Sequence, residues 1–134
     1  MLKDIPQLAV ENLAVAAILE HNDLGGQEWS VYLINLYDHP IENVLVSSKG
    51  YGHYKGKDVK TSTLRHVIGT VDSKDYAKIE LILENLLGLN NEYWVSFYLN
   101  KNIYDKKYIF LPETIQIENL TTIPLMNKMG VMIR

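Results

Sequence analysis

The sequence predicts an all-β protein: one domain over residues 1–134, folded as an antiparallel sandwich of about seven or eight strands with at most one short helix. Three observations lead there. Turn-forming residues recur at short intervals, at His21–Gly26, Asp38–Pro40, Gly50–Gly56, Gly69–Lys74, Gly88–Asn91, Asn100–Asn102 and Pro112–Glu113. The stretches between them alternate apolar and polar residues, the signature of strands with one face in a core. The chain has 134 residues, 47% of them hydrophobic, among them nine tyrosines and two tryptophans. That is enough to bury a core without disulfides or metals.

The elements follow in order. Residues 13–20 alternate Leu13, Val15, Ala17 and Leu19, as a strand does, although their Ala, Leu and Glu content also suits a helix. A strand is expected, because His21–Gly26 reads as a loop into the next one. Trp29–Tyr37 is a strand with two apolar faces, Trp29, Val31 and Leu33 on one and Tyr32, Ile34 and Leu36 on the other. It should be central and covered on both sides. Asp38-His39-Pro40 then turns the chain, and Ile41–Ser48 is expected to return as its antiparallel partner. Asp58–Val67 and Tyr76–Ile82 are further strands; in the second, Ala77, Ile79 and Leu81 alternate with Tyr76, Lys78 and Glu80. Leu83–Leu87 reads as one helical turn stopped at Gly88.

Glu92–Leu99 and Ile103–Leu111 form the clearest hairpin. A three-residue loop would bring Asp105 and Lys107 into the core beside Phe97 and Val95. A two-residue loop places Leu99, Val95 and Tyr93 against Tyr104, Tyr108 and Phe110. That register leaves only Lys106 on the wrong face, where its stem can lie along the core and its ammonium reach the edge. It also puts Trp94, Tyr98 and Ile109 on the outer face with Ser96, Asp105 and Lys107. Such a patch must be covered by another element or offered to a partner.

The segment Trp29-Ser-Val-Tyr-Leu-Ile-Asn35, with Pro40-Ile41 and Val44-Leu45-Val46, resembles a hairpin of an immunoglobulin-like sandwich. A likeness over nearly the whole chain is carried by residues 31–36, 47–52, 64–66, 91–97, 104–108 and 130–133. There the chain resembles a family of small uncharacterised bacterial proteins, and that resemblance implies no site. Some members are labelled phenylalanyl-tRNA synthetase α subunit. The residues do not support the label: a class II synthetase clamps ATP with arginines, and here Arg65 is the sole arginine besides Arg134.

Charge and composition limit the function. The net charge is −3, yet residues 49–66 carry five cations against Asp58 alone, a local +4 that leaves −7 for the remainder. A dedicated nucleic-acid binder is usually basic overall. The Gly50–Lys57 segment still has the makings of a phosphate-ligand or nucleic-acid loop. Lys49, Lys55, Lys57, Lys60 and Arg65 would meet phosphates, and Tyr51, His53 and Tyr54 would supply rings. The bland alternative is a solvated hairpin loop.

The catalytic residues expected are none. Ser62, Thr63, His66 and Asp58 suggest a nucleophilic set only by proximity in sequence, and no nucleophile elbow is present. Glu80, Glu84 and Asp105-Lys106-Lys107 read as charges on solvated faces or edges. His21, His39, His53 and His66 stand singly, without metal-ligand spacing, and there is no cysteine. No metal and no cofactor are expected.

Met1–Gln7 does not read as a secretion leader, and no uncharged apolar run reaches the roughly 20 residues of a membrane span. A cytoplasmic protein with no membrane partner is expected. The function expected is a non-catalytic binding or structural module. Its partner would be a protein or a second copy of the chain. Nucleic-acid or phosphate binding is the alternative, and an enzyme of unknown class comes third.

Overall fold

The computed structural model describes residues 9–134, so the reading of Met1–Gln7 lies outside the described residues. Among the described residues ten strands form two antiparallel sheets, against the seven or eight expected. They are β1 (Leu13–His21), β2 (Gln27–Asn35), β3 (Ile41–Tyr54), β4 (Lys57–Lys60), β5 (Leu64–Val71), β6 (Asp75–Ile82), β7 (Asn90–Leu99), β8 (Asn102–Phe110), β9 (Thr121–Ile123) and β10 (Lys128–Ile133). One sheet has the order β6-β2-β1-β10-β9. In the other, β3 pairs with β7 on one side and with β4 and β5 on the other, and β8 extends β7. Helical structure among the described residues is limited to two short 3-10 turns, one of them Glu84–Leu86, within the helical turn expected at 83–87. No helix among them is long and apolar enough to cross a membrane.

The ambiguous segment 13–20 is a strand, β1, in the middle of the first sheet. Its alternation sets the sandwich: Leu13, Val15 and Ala17 face the main core, while Ala14, Ala16 and Ile18 face a smaller cluster on the outer side. β2 is flanked by β1 and β6 and is buried on both faces, as its two apolar faces require. The outer cluster is closed by Ile123 and Met126 from the β9–β10 hairpin.

The partner expected for β2 is overturned. Ile41–Ser48 does not return beside it; β2 pairs with β1 and β6, and β3 enters the opposite sheet. Asp38–Pro40 is thus a corner between sheets, and β5 and β6 make a second crossing. β6 then lies beside β2, and β7 beside β3. This is the crossing pattern of immunoglobulin-like sandwiches. Asn35 holds both corners. Its fully buried amide nitrogen lies 3.0 Å from the carbonyl of His39, 3.1 Å from that of Val71 and 3.0 Å from that of Asp72, and its oxygen accepts from the Tyr37 amide at 2.9 Å.

The β7–β8 hairpin has the expected two-residue loop, Asn100-Lys101. Both residues have positive φ (50° and 68°), the twist that suits such a loop. The faces are as expected, but the direct opposites lie two residues along, because a two-residue loop pairs Leu99 with Asn102. Tyr104 therefore opposes Phe97, Tyr108 opposes Tyr93 and Phe110 opposes Asn91. Phe97 and Tyr104 stack at 5.3 Å. Lys106 opposes Val95 and escapes to the edge, its ammonium 3.2 Å from the Val10 carbonyl.

Two further expectations change. Asp58–Val67 is not one strand: β4 ends at Lys60 and β5 starts at Leu64. The Ala77, Ile79, Leu81 alternation fails at a register shift opposite Val31/Tyr32. Ile79 and Ile82 are buried, Leu81 is exposed and Glu80 turns inward.

Candidate functional site

Three places on this frame carry the polar chemistry. The first lies between the sheets at the β6 edge. Glu80 Oε1 accepts from Ser48 Oγ at 2.6 Å and sits 2.7 Å from His66 Nε2; its Oε2 accepts from the Tyr93 hydroxyl at 3.0 Å. One residue of the first sheet is thus tied to β3, β5 and β7 of the other. The Tyr93 phenol is pushed well above its ordinary range, by burial first and then by the Glu80 charge. The expectation of a solvated Glu80 is overturned, because the bulge in β6 rotates it by one position. A pocket of about 170 Å³ opens beside it, lined in part by Gly50, Thr61 and Asn91.

The group has a carboxylate, an imidazole and a hydroxyl, but not the order of a nucleophilic triad. Ser48 and His66 both point at the same carboxylate oxygen, so neither activates the other. Nor does the structure unite Ser62, His66 and Asp58: Asp58 bonds His53 Nδ1 at 3.1 Å instead. Among the described residues no group of three His, Asp or Glu side chains is placed to hold a metal ion.

The second place is the basic segment. It is not a loop. β3 runs on to Tyr54, turns through Lys55-Gly56 (φ 51° and 79°) and returns as β4, so a projecting ribbon carries the charges. Lys55, Lys57 and Lys60 are exposed. Lys49 is not available in the same way, since Glu92 lies 3.7 Å from its ammonium. The rings are also engaged. The Tyr51 hydroxyl donates to Glu92 at 3.4 Å, and burial followed by the Glu92 charge raises its pKa. Lys55 covers the Tyr54 ring, and His53 bonds Asp58.

The third place is the outer face of the β3/β5/β7/β8 sheet. The registers align two neighbouring outward rows: Arg65–Ser47–Trp94–Lys107 and Val67–Leu45–Ser96–Asp105. Here the two candidate surfaces of the sequence meet, because β3 pairs β5 on one side and β7 on the other. Lys49, Tyr51 and Arg65 share a face with Trp94, Tyr98 and Ile109; His53, Tyr54, Lys55, Lys57 and Lys60 lie apart on the ribbon. Leu45, Val67, Trp94, Tyr98, Ile103 and Ile109 are all exposed, Val67 at 84% and Ile103 at 62%. A shallow groove of about 370 Å³ runs over Ser47 and Ser96 between Trp94 and Val67. Lys107 lies 4.8 Å from the Trp94 ring centroid. Leu45 and Val67 are not evident as site residues in the sequence, since only the β5–β3–β7 pairing brings them beside Trp94.

On the first sheet, near the end of its central strand β1, Glu20 accepts from Lys128 of β10 at 2.8 Å and from Tyr32 of β2 at 3.0 Å. Burial works against its ionisation, but these hydrogen bonds outweigh it and hold the carboxyl below its usual range.

No protein-family model, curated protein or solved structure matches the chain.

Proposed function

We propose that the protein is a non-catalytic interaction module, read as cytoplasmic, whose contact surface is the outer face of the β3/β5/β7/β8 sheet. The carrying observation is that this face exposes six large apolar side chains among its charges and is uncovered among the described residues. On the outer side of the other sheet, Ile123 and Met126 cover the apolar residues of β1 and Ile34. A sheet face with six exposed large apolar side chains is costly in water unless something docks on it. Trp94 at its middle is the kind of residue that dominates contact energies.

The test is Trp94→Arg. Trp94 is 45% exposed, so the fold should survive with little change in melting temperature. Retention of the partner by the immobilised chain should fall at least tenfold. Unchanged retention would remove this face from the reading.

A second reading is nucleic-acid or phosphate-ligand binding by the ribbon. It is supported by the exposure of Lys55, Lys57 and Lys60, none of which forms an ion pair among the described residues. It is the weaker one, because the nearby rings of Tyr51 and Tyr54 are already engaged. A Lys55/Lys57/Lys60→Ala variant should then lose salt-sensitive RNA binding. No binding by the parent chain at low salt would end it.

A further inference from the structure

The geometry points to a second copy of this chain as the occupant of the outer sheet face, packed on it about a two-fold axis. This inference rests on the docking reading above and goes beyond it by naming the partner. The face is complementary to itself, and the complementarity can be read from the register.

A two-fold axis in the plane of the contact, at right angles to the strands, turns each strand over its own counterpart with direction reversed. Set between the two central rows, it exchanges them. Trp94 then faces Ser96 of the second copy, and Ser96 faces the second Trp94. Leu45 likewise faces Ser47 of the second copy. In both strands a large apolar side chain meets a small one, the alternation that lets two sheets interdigitate. On β8 the same operation sets Lys107 opposite Asp105 of the second copy. On β5 it lays the Arg65 stem over Val67.

The next rows out continue the match. Lys49–Glu92–Ile109 lies on one side of the axis and Glu42–Tyr98–Ile103 on the other. The operation places Ile109 on Ile103 and Glu92 on Tyr98, and brings Glu42 of the second copy up to the Lys49–Glu92 pair. A two-fold parallel to the strands would keep Trp94 on Ser47 and Leu45 on Ser96, but it would stack β5 on β8 within the same row, setting Arg65 against Lys107 and exposed Val67 against Asp105. The self-contact is therefore of one kind, isologous, with each pair made twice. Sheets packed face to face cross at about 30°, which shifts pairs most at the corners, where the side chains are long enough to follow.

The footprint is modest. Four strands about 4.8 Å apart and four outward rows about 6.8 Å apart span roughly 500 Å² in projection. A standard interface buries about 800 Å² per partner, so the dimer should dissociate on dilution.

The experiment is a charge exchange within one chain: Asp105→Lys, Lys107→Asp, and the two together. Molecular mass by light scattering would be followed from about 1 mM to about 1 μM, with melting temperature as the fold control. The parent should pass from dimer to monomer across the series. Each single variant places like charges opposite each other twice and should weaken the dimer about tenfold or more. The double variant should return to within about threefold of the parent, because the pair is re-formed between copies.

A dimer indifferent to the single changes would mean that the copies meet elsewhere, and would overturn the inference. A double variant no tighter than the singles would overturn it too. A parent monomeric throughout also overturns it; if Trp94 then still governs capture of a different protein, the docking reading stands alone, and if it does not, both fall.

Discussion

Replacing Asn35 by alanine should loosen both corners of the sandwich at once. The side chain is fully buried, and its amide group serves four backbone partners: the carbonyls of His39, Val71 and Asp72 and the amide of Tyr37. Val71 lies in the core, so losing the side-chain donor to its carbonyl should cost about 1–3 kcal/mol. The other three groups lie in corner segments that water can reach more easily, so each should lose only about 0.5 kcal/mol net. The total is about 3 kcal/mol, a large share of the roughly 5–15 kcal/mol that holds an ordinary domain together. With a urea slope of about 1.5 kcal/mol per molar, the midpoint should fall by about 2 M. The measurement is equilibrium urea unfolding followed by circular dichroism, with the slope unchanged. Asn35→Asp should lose more at neutral pH, because a carboxylate would confront three carbonyl oxygens with nothing to donate. A loss under about 1 kcal/mol in Asn35→Ala would show that the corners stand without this side chain, and the account of the crossings would be wrong.

Two other outcomes follow from the polar contacts. Glu80→Gln keeps the shape but presents one acceptor oxygen to three donors, and should cost about 1–3 kcal/mol; unchanged urea stability would mean that the contact between sheets is idle. Glu20 is held below its usual range, so its contribution is complete above the unfolded value of about 4.3 and is lost as pH falls through the lower folded value. Lys128 is half exposed, which limits the pair to about 1 kcal/mol or less. The deficit of Glu20→Gln against the parent should therefore shrink as unfolding is measured from pH 6 towards about pH 3; a deficit that grows in acid would contradict this sign.

The sequence by itself determined the class of fold, most strands and the face assignment of the best hairpin. These depend on local facts. Alternation has a period of two, and one residue of slip in β7–β8 would have buried Asp105 and Lys107. It also marked Trp94, Tyr98 and Ile109 as outward, and the ribbon as basic. Only the tertiary structure decided which strand lies beside which. Asp38–Pro40 suits a hairpin and a corner equally well, because the choice rests on Asn35 meeting Val71 and Asp72 from 36 and 37 residues away. The inward turn of Glu80 depends on a bulge against β2, which no pattern within β6 reveals. The joining of Arg65 to Trp94 across β3 is of the same kind. A surface assembled from four strands exists only once long-range pairing has set their register. The self-matching rows are for that reason a property of the fold, although every side chain in them was already visible in the chain.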